Sequence, residues 1–279
     1  MKMNTKKPIS GFSRSTVLAT IICIVLLAVG WYSYQHWFKD TRTADEKKLA
    51  SYRLEIANTL SQVSANTPVG IDLVVRRQDG TKHGEWDEVR GDGEYMRLVV
   101  AYHDLSAFQV YYPKFDPATQ TFSVELNFPQ AGSVVLFADV VPDTGLFSDT
   151  PTVHPSIALI VSGPVVPSQP SDLERTVISG AYSVALEGSN SPLAGESTTF
   201  HWKFQKGDEV VEVDKKEGAY GRLSIIRQGS MEYSAAVFAN DDLHLAHTFT
   251  TPGVYAFHLE TQVGDDTVQV VHRVLVGSK

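Results

Sequence analysis

One cysteine stands among the 279 residues, and it is Cys23, inside an uncharged run. Everything beyond that run is without a thiol, which excludes a disulfide framework, thiol catalysis and a Cys-ligated metal there. Acids are missing at one end: residues 1–39 hold five Lys or Arg and no Asp or Glu, while the remaining 240 hold 19 bases and all 32 acids. The parts carry +5 and −13, and so acidic a body excludes a general nucleic-acid binder. Catalytic signatures are absent as well. No Gly-x-Ser-x-Gly elbow, Walker loop, Gly-x-Gly-x-x-Gly or His-Glu-x-x-His occurs, and no carboxylate pair is singled out for acid/base work. The sequence predicts no enzyme and no cofactor.

What is present begins with an apolar run. No charge lies between Arg14 and Lys39, and residues 16–34 read TVLATIICIVLLAVGWYSY. Nineteen residues at about 1.5 Å each approach the thickness of a bilayer's hydrocarbon core. Lys2, Lys6, Lys7 and Arg14 precede the run, and Trp31, Tyr32, Tyr34, Trp37 and Phe38 crowd its far end. Bases favour the cytoplasmic side and amphipathic rings the interface, so the expectation is a single-pass anchor with a cytoplasmic N-terminus and an extracytoplasmic remainder. A cleaved signal is the alternative, but its small-x-small site, Ala28-Val29-Gly30, is followed by Trp31. The bilayer is thus the first expected partner.

Thr43-Ala44-Asp45-Glu46 has capping-box spacing, and Leu49, Tyr52, Ile56, Leu60 and Val63 follow at helical intervals. This predicts a helical stalk over 43–65. From about Pro68 the period becomes two. Ile71 to Val75, Arg97 to Tyr102, Thr121 to Leu126 and Val134 to Phe137 read as strands, separated by turns such as Gln78-Asp79-Gly80 and Gln130-Ala131-Gly132. Residues 163–170, GPVVPSQP, read as a Pro-rich linker.

Beyond that segment the pattern recurs. Gly93-Glu94-Tyr95-Met96-Arg97-Leu98 matches Gly218-Ala219-Tyr220-Gly221-Arg222-Leu223, and Phe128-Pro129-Gln130-Ala131-Gly132 matches Phe249-Thr250-Thr251-Pro252-Gly253. Two matches in one order point to a tandem duplication. Phe200-His201-Trp202-Lys203-Phe204 alternates aromatic and polar residues as a half-buried strand requires, and Gly264-Asp265 has hairpin-turn chemistry.

Arg97-Leu98-Val99-Val100, Asp104-Leu105-Ser106-Ala107-Phe108-Gln109, Pro113, the Phe128-to-Gly132 turn and Leu136-Phe137-Ala138-Asp139-Val140-Val141-Pro142 together resemble the YtkA-like family of bacterial exported β-sandwich proteins. The resemblance covers residues 68–277. It implies two immunoglobulin-like copies and metal handling through histidines in each copy. The histidine positions are changed here: Arg97 and Arg222 stand before the strands, and Val110 and Tyr112 flank Tyr111. Arginine and valine offer a metal no lone pair.

The resulting expectation is an all-β ectodomain, two tandem immunoglobulin-like β-sandwich domains behind an N-terminal transmembrane helix and a short helical stalk. Its divisions are a cytoplasmic basic flank (1–15), an anchor (16–38), the stalk (43–65), a first sandwich (68–163), a Pro-rich linker (164–171) and a second sandwich (172–279). The leading function is a non-catalytic binding or interaction protein at the cell membrane, taking an unidentified protein or small ligand at the surface. Tyr111, Tyr112 and Phe115 are the candidate contact surface, or else rings packed beneath their own loop. The alternative is a transition-metal, specifically copper, handling protein using residual histidines. His244 and His247 are its weak candidates, because a strand sends residues three apart to opposite faces. His83, His258 and His272 are expected at the surface.

Overall fold

Alternation every two residues governs the chain from residue 53 onward, and the elements that follow are strands. The computed structural model describes residues 52–59, 62–91, 93–143, 151–164 and 173–279. The apolar run, its basic flank, residues 43–51 of the expected stalk and residues 165–171 of the Pro-rich segment lie outside them. The first half contains β1 (Arg53–Ile56), β2 (Val69–Arg76), β3 (Trp86–Asp87), β4 (Met96–Tyr102), β5 (Phe108–Tyr111), β6 (Lys114–Asp116), β7 (Thr121–Leu126), β8 (Gly132–Pro142) and β9 (Ser156–Val161). The second contains β10 (Thr176–Ser179), β11 (Tyr182–Gly188), β12 (Ser197–Lys206), β13 (Glu209–Val211), β14 (Gly221–Arg227), β15 (Tyr233–Phe238), β16 (His244–Thr248), β17 (Gly253–Val263) and β18 (Asp266–Val276). The described residues contain no helix.

These strands form four antiparallel sheets. In the first half the outer sheet runs β1-β2-β7-β6, and the inner one runs β3-β8-β4-β5 with β9 added on β8. In the second the outer sheet runs β10-β11-β12-β13 with β16 on β12, and the inner one runs β15-β14-β17-β18. The pairings of β4 with β5 and β8, and of β8 with β9, have counterparts in those of β14 with β15 and β17, and of β17 with β18. Within each half an outer and an inner sheet face each other as a sandwich. Trp86 of β3 meets Phe122 of β7 with ring centroids 5.8 Å apart. Phe200, Trp202 and Phe204 of β12 share one core with Leu223 and Ile225 of β14 and with Tyr255, Phe257 and Leu259 of β17.

The two inner sheets also pack on each other, and residues 52–279 form a single unit. All seven residues of β4 are buried, as are the first six of β14. Val99, Ala101, Val135 and Phe137 meet Ile226 and Ala256 in a third apolar layer between the inner sheets. A strand buried on both faces reads as a continuous apolar run, which explains Arg97 to Tyr102 and Val134 to Val141.

Over its described residues, 52–59 and 62–65, the helical stalk expected over 43–65 is corrected by β1. Leu54 is buried, and Arg53 through Ile56 pair with Arg76 through Leu73 of β2. Tyr52, Leu54 and Ile56 also fit a period of two, and β2 offers a hydrogen-bonding edge that an isolated helix lacks. Val63 is buried and Ser64 bridges to Ser162, so the first sandwich begins before residue 68.

The matched glycines open equivalent strands. Gly132 begins β8 at φ +153° and Gly253 begins β17 at φ +147°. A Cβ at Gly132 would lie 3.3 Å from Tyr102, and one at Gly253 would lie 3.0 Å from Arg227. Both the backbone angle and the close side chain therefore favour glycine. Gly253→Ala is expected to lower stability by about 1–2 kcal/mol. Gly70→Ala, where a Cβ meets nothing within 4 Å, is expected to be neutral or slightly stabilising. Urea unfolding of the full chain at pH 7 compares them, and equal midpoints would refute the assignment.

Candidate functional site at the contact of the inner sheets

Polar side chains enter the layer between the inner sheets at one end, in sequence positions set by the pleat. Arg97 and Asp139 are register partners on β4 and β8, two residues along from Val99 and Phe137 on the same face. Both are almost fully buried. Arg97 Nη1 donates to Asp139 Oδ2 at 2.9 Å and to Ser224 Oγ of β14 at 2.9 Å. The Tyr233 hydroxyl, from β15, donates to both Asp139 oxygens at 2.8 Å, while its ring stacks on Phe137 at 4.4 Å. His154 Nδ1 completes the shell, 2.7 Å from Asp139 Oδ1.

A second, reciprocal contact lies beside the first. Arg222 and Glu260 are register partners on β14 and β17. Tyr112, just after β5, donates from its hydroxyl to Glu260 Oε1 at 2.8 Å, and Gln269 donates to Glu260 Oε2 at 3.1 Å. Each half therefore presents a base and an acid on adjacent inner strands, and each acid receives a tyrosine from the other half. Arg90 lies 4.3 Å over the Tyr112 ring and pairs with Glu217 across the halves, and Arg222 donates to the Val89 carbonyl. At the opposite end Gln228 donates to the Asp104 carbonyl and Arg273 to that of Leu105.

The electrostatics follow from burial. Burial opposes the charge on Arg97, but Tyr233 and Asp139 outweigh it and hold the guanidinium above its ordinary pKa. Burial and then Asp139 push the Tyr233 hydroxyl well up, and burial with Glu260 pushes Tyr112 to about 12, so both remain donors at neutral pH. Arg97 keeps Nε and Nη2 without a partner, and His258 keeps Nδ1 likewise. His258 stacks on Phe108 across the layer at 5.9 Å. Burial and the Arg97 charge lower its pKa to about 3.

The residues singled out by sequence fall in several places. Tyr112 belongs to the contact between halves. Phe115 of β6 packs on Phe122 at 4.7 Å and on Tyr95 at 5.8 Å. Tyr111 stands half-buried opposite Leu98. The three do not form one outward patch. His244 and His247 sit on opposite faces of β16; His247 meets Phe249, and His244 stacks on His201 of β12. Three histidines expected at the surface are buried. His83 packs against Trp86 and contacts Arg77 at 2.7 Å, His258 lies in the central layer, and His272 Nε2 lies 3.1 Å from the Val184 carbonyl oxygen. Arg97, Arg222 and Tyr112, at positions the family resemblance assigns to histidine, all serve the inner-sheet contact, as does Val110. Sequence reasoning passed over Asp139, Glu260 and Tyr233. The available signal was an isolated charge inside a strand with no polar alternation.

The described residues thus form an all-β structure of the β-sandwich class. No protein-family model and no curated protein matches the chain. It is similar to solved fibronectin(III)-like modules of Clostridium thermocellum CbhA, at 12% identity over 81% of this chain and 94% of that one, with a TM-score of 0.23. It is also similar to trypsin-activated α2-macroglobulin of Escherichia coli, at 8% identity over 82% of this chain and 16% of that one (TM-score 0.26). Domains 5–6 of the S-layer protein SbsC give 10% identity over 81% and 97% of the two chains, with a TM-score of 0.20.

Removing one partner of a buried ion pair leaves the other charge uncompensated, so Asp139→Ala is expected to lower stability by about 3–5 kcal/mol. Tyr233→Phe removes one charge-assisted hydrogen bond and is expected to cost about 1.5–3 kcal/mol. Denaturant titration at pH 7 measures both, and a loss under about 1 kcal/mol for Asp139→Ala would show that Asp139 is not an anchor of the contact between the sheets.

The sign for His258 is that of a base depressed by folding. The unfolded chain takes up its proton first, so the contribution is whole above about pH 6.5 and is lost as the pH falls toward 3, reaching about 3–5 kcal/mol. Unfolding at pH 7 and pH 4.5 should show a fall in stability that is smaller in His258→Phe; an identical fall in both proteins would sink this assignment.

Proposed function

We propose that the chain is a single-pass membrane protein whose extracytoplasmic part is a non-catalytic binding or interaction module, built from two tandem immunoglobulin-like sandwiches. The observation that carries this reading is the reciprocal contact between the inner sheets. The central acids and bases join the two halves to each other, and the outer sheet faces and the loops remain for a partner. Matching strand pairings in the halves support the duplication. The uncharged run behind a basic flank supports the anchor and its orientation. Loops on a rigid sandwich scaffold are the natural place for contacts with a surface protein or small ligand.

Metal handling through His244 and His247 lacks a shared face on β16.

Reporter fusions after Lys279 test the placement. Alkaline phosphatase, which is active only after export, should be active, green fluorescent protein exported through the same route should be dark, and the chain should stay in the membrane through alkaline carbonate extraction. An inactive phosphatase with a bright fluorescent fusion, or release by carbonate, would overturn the reading.

A further inference from the structure

The outer face of the second outer sheet carries a histidine pair that the inner-sheet contact does not use. β12 and β16 run antiparallel, and their register sets His201 directly opposite His244. Cβ atoms so placed are about 4.5–5.5 Å apart. The two rings stack with centroids 4.1 Å apart and an interplanar angle of 12°. Each ring has a carboxylate at Nδ1: Asp242 Oδ2 lies 3.0 Å from His244, and Glu187 Oε2 lies 3.8 Å from His201. Lys203 binds the other Glu187 oxygen at 2.8 Å.

We propose that His201 and His244 form a two-imidazole site for a divalent first-row transition-metal ion, with water filling the remaining coordination positions. At His244 the Asp242 carboxylate beside Nδ1 favours the tautomer that keeps the proton there and leaves Nε2 as the donor atom, the arrangement by which ligating histidines are oriented. Both rings stand on the same outer face of the sheet, within reach of one shared ion. Among the described residues no group of three or more His, Cys, Asp or Glu is arranged to hold a metal ion, and the two imidazoles are the protein donors of the proposed site. Asp242 and Glu187 against the single Lys203 leave a negative charge beside the rings that attracts a cation. Imidazole donors and the order of divalent affinities make Cu2+ the strongest probe. The proposal goes beyond the membrane reading and stands whichever way the fusion test falls.

The experiment is Cu2+ titration of the full chain in detergent at pH 7.5, followed by calorimetry and by electron paramagnetic resonance. The wild-type spectrum is expected to show coupling to two imidazole nitrogens. His201→Ala and His244→Ala should each weaken binding more than tenfold and remove one coupling, and Asp242→Ala should weaken it about tenfold. His247→Ala should bind as wild type. Thermal unfolding without metal checks that the exposed-face variants fold. Full affinity in the His201→Ala/His244→Ala double variant, a wild-type spectrum without two-nitrogen coupling, or equal loss in His247→Ala would each overturn the proposal.

Discussion

A carboxylate sealed between two sheets has to be compensated where it sits, and the structure is arranged around that requirement at Asp139. Arg97 supplies the countercharge from the neighbouring strand, Tyr233 a donor from the opposite half, and His154 a contact from the loop before β9. Both charged side chains are shielded from water, so loss of either Arg97 or Asp139 leaves the other as a desolvated charge. The inner sheets are thereby fixed in register as well as in contact: sliding one over the other would part Tyr233 from Asp139 and Tyr112 from Glu260.

This constraint reaches into both sandwiches. β4 and β14 are central to their sheets and buried on both faces, so each lies between the core of its own half and the shared layer. Packed interiors transmit displacement because they hold few voids. Val99 and Ile226 face the shared layer, whereas Phe200 belongs to the core of the second half. The outer sheet faces stand outside this coupling. That separation lets a surface feature such as the His201–His244 pair vary without disturbing the joint between the halves.

Much of the local structure was legible in the sequence. Alternation marked β7 and β12, the Phe-to-Gly matches marked the turns into β8 and β17, and Gly264-Asp265 marked the β17–β18 hairpin. β1 was misread because Tyr52 and Ile56 satisfy a helical interval as well as a strand one, and the pairing edge that decides between them lies far along the chain on β2. His83, His258 and His272 were misplaced for a related reason. A histidine's cost of burial depends on neighbours such as Trp86, Phe108 and the Val184 carbonyl, none of which is local in sequence. The unbroken apolar runs around Arg97 and Asp139 did carry a trace of the joint, since a strand with no polar face must be covered twice.

By itself the sequence determined the strand periodicity and the turn glycines, because each depends on residues within a few positions of one another, and the thiol-free acidic body, which is a matter of composition. Only the tertiary structure decided that the halves meet through their inner sheets, that Arg97, Asp139, Tyr233, Tyr112 and Glu260 form the joint, and that His244 faces His201 rather than His247. Those partners lie tens to more than a hundred residues apart. Cross-strand register and sheet stacking, which no local pattern encodes, bring them within hydrogen-bonding or stacking distance.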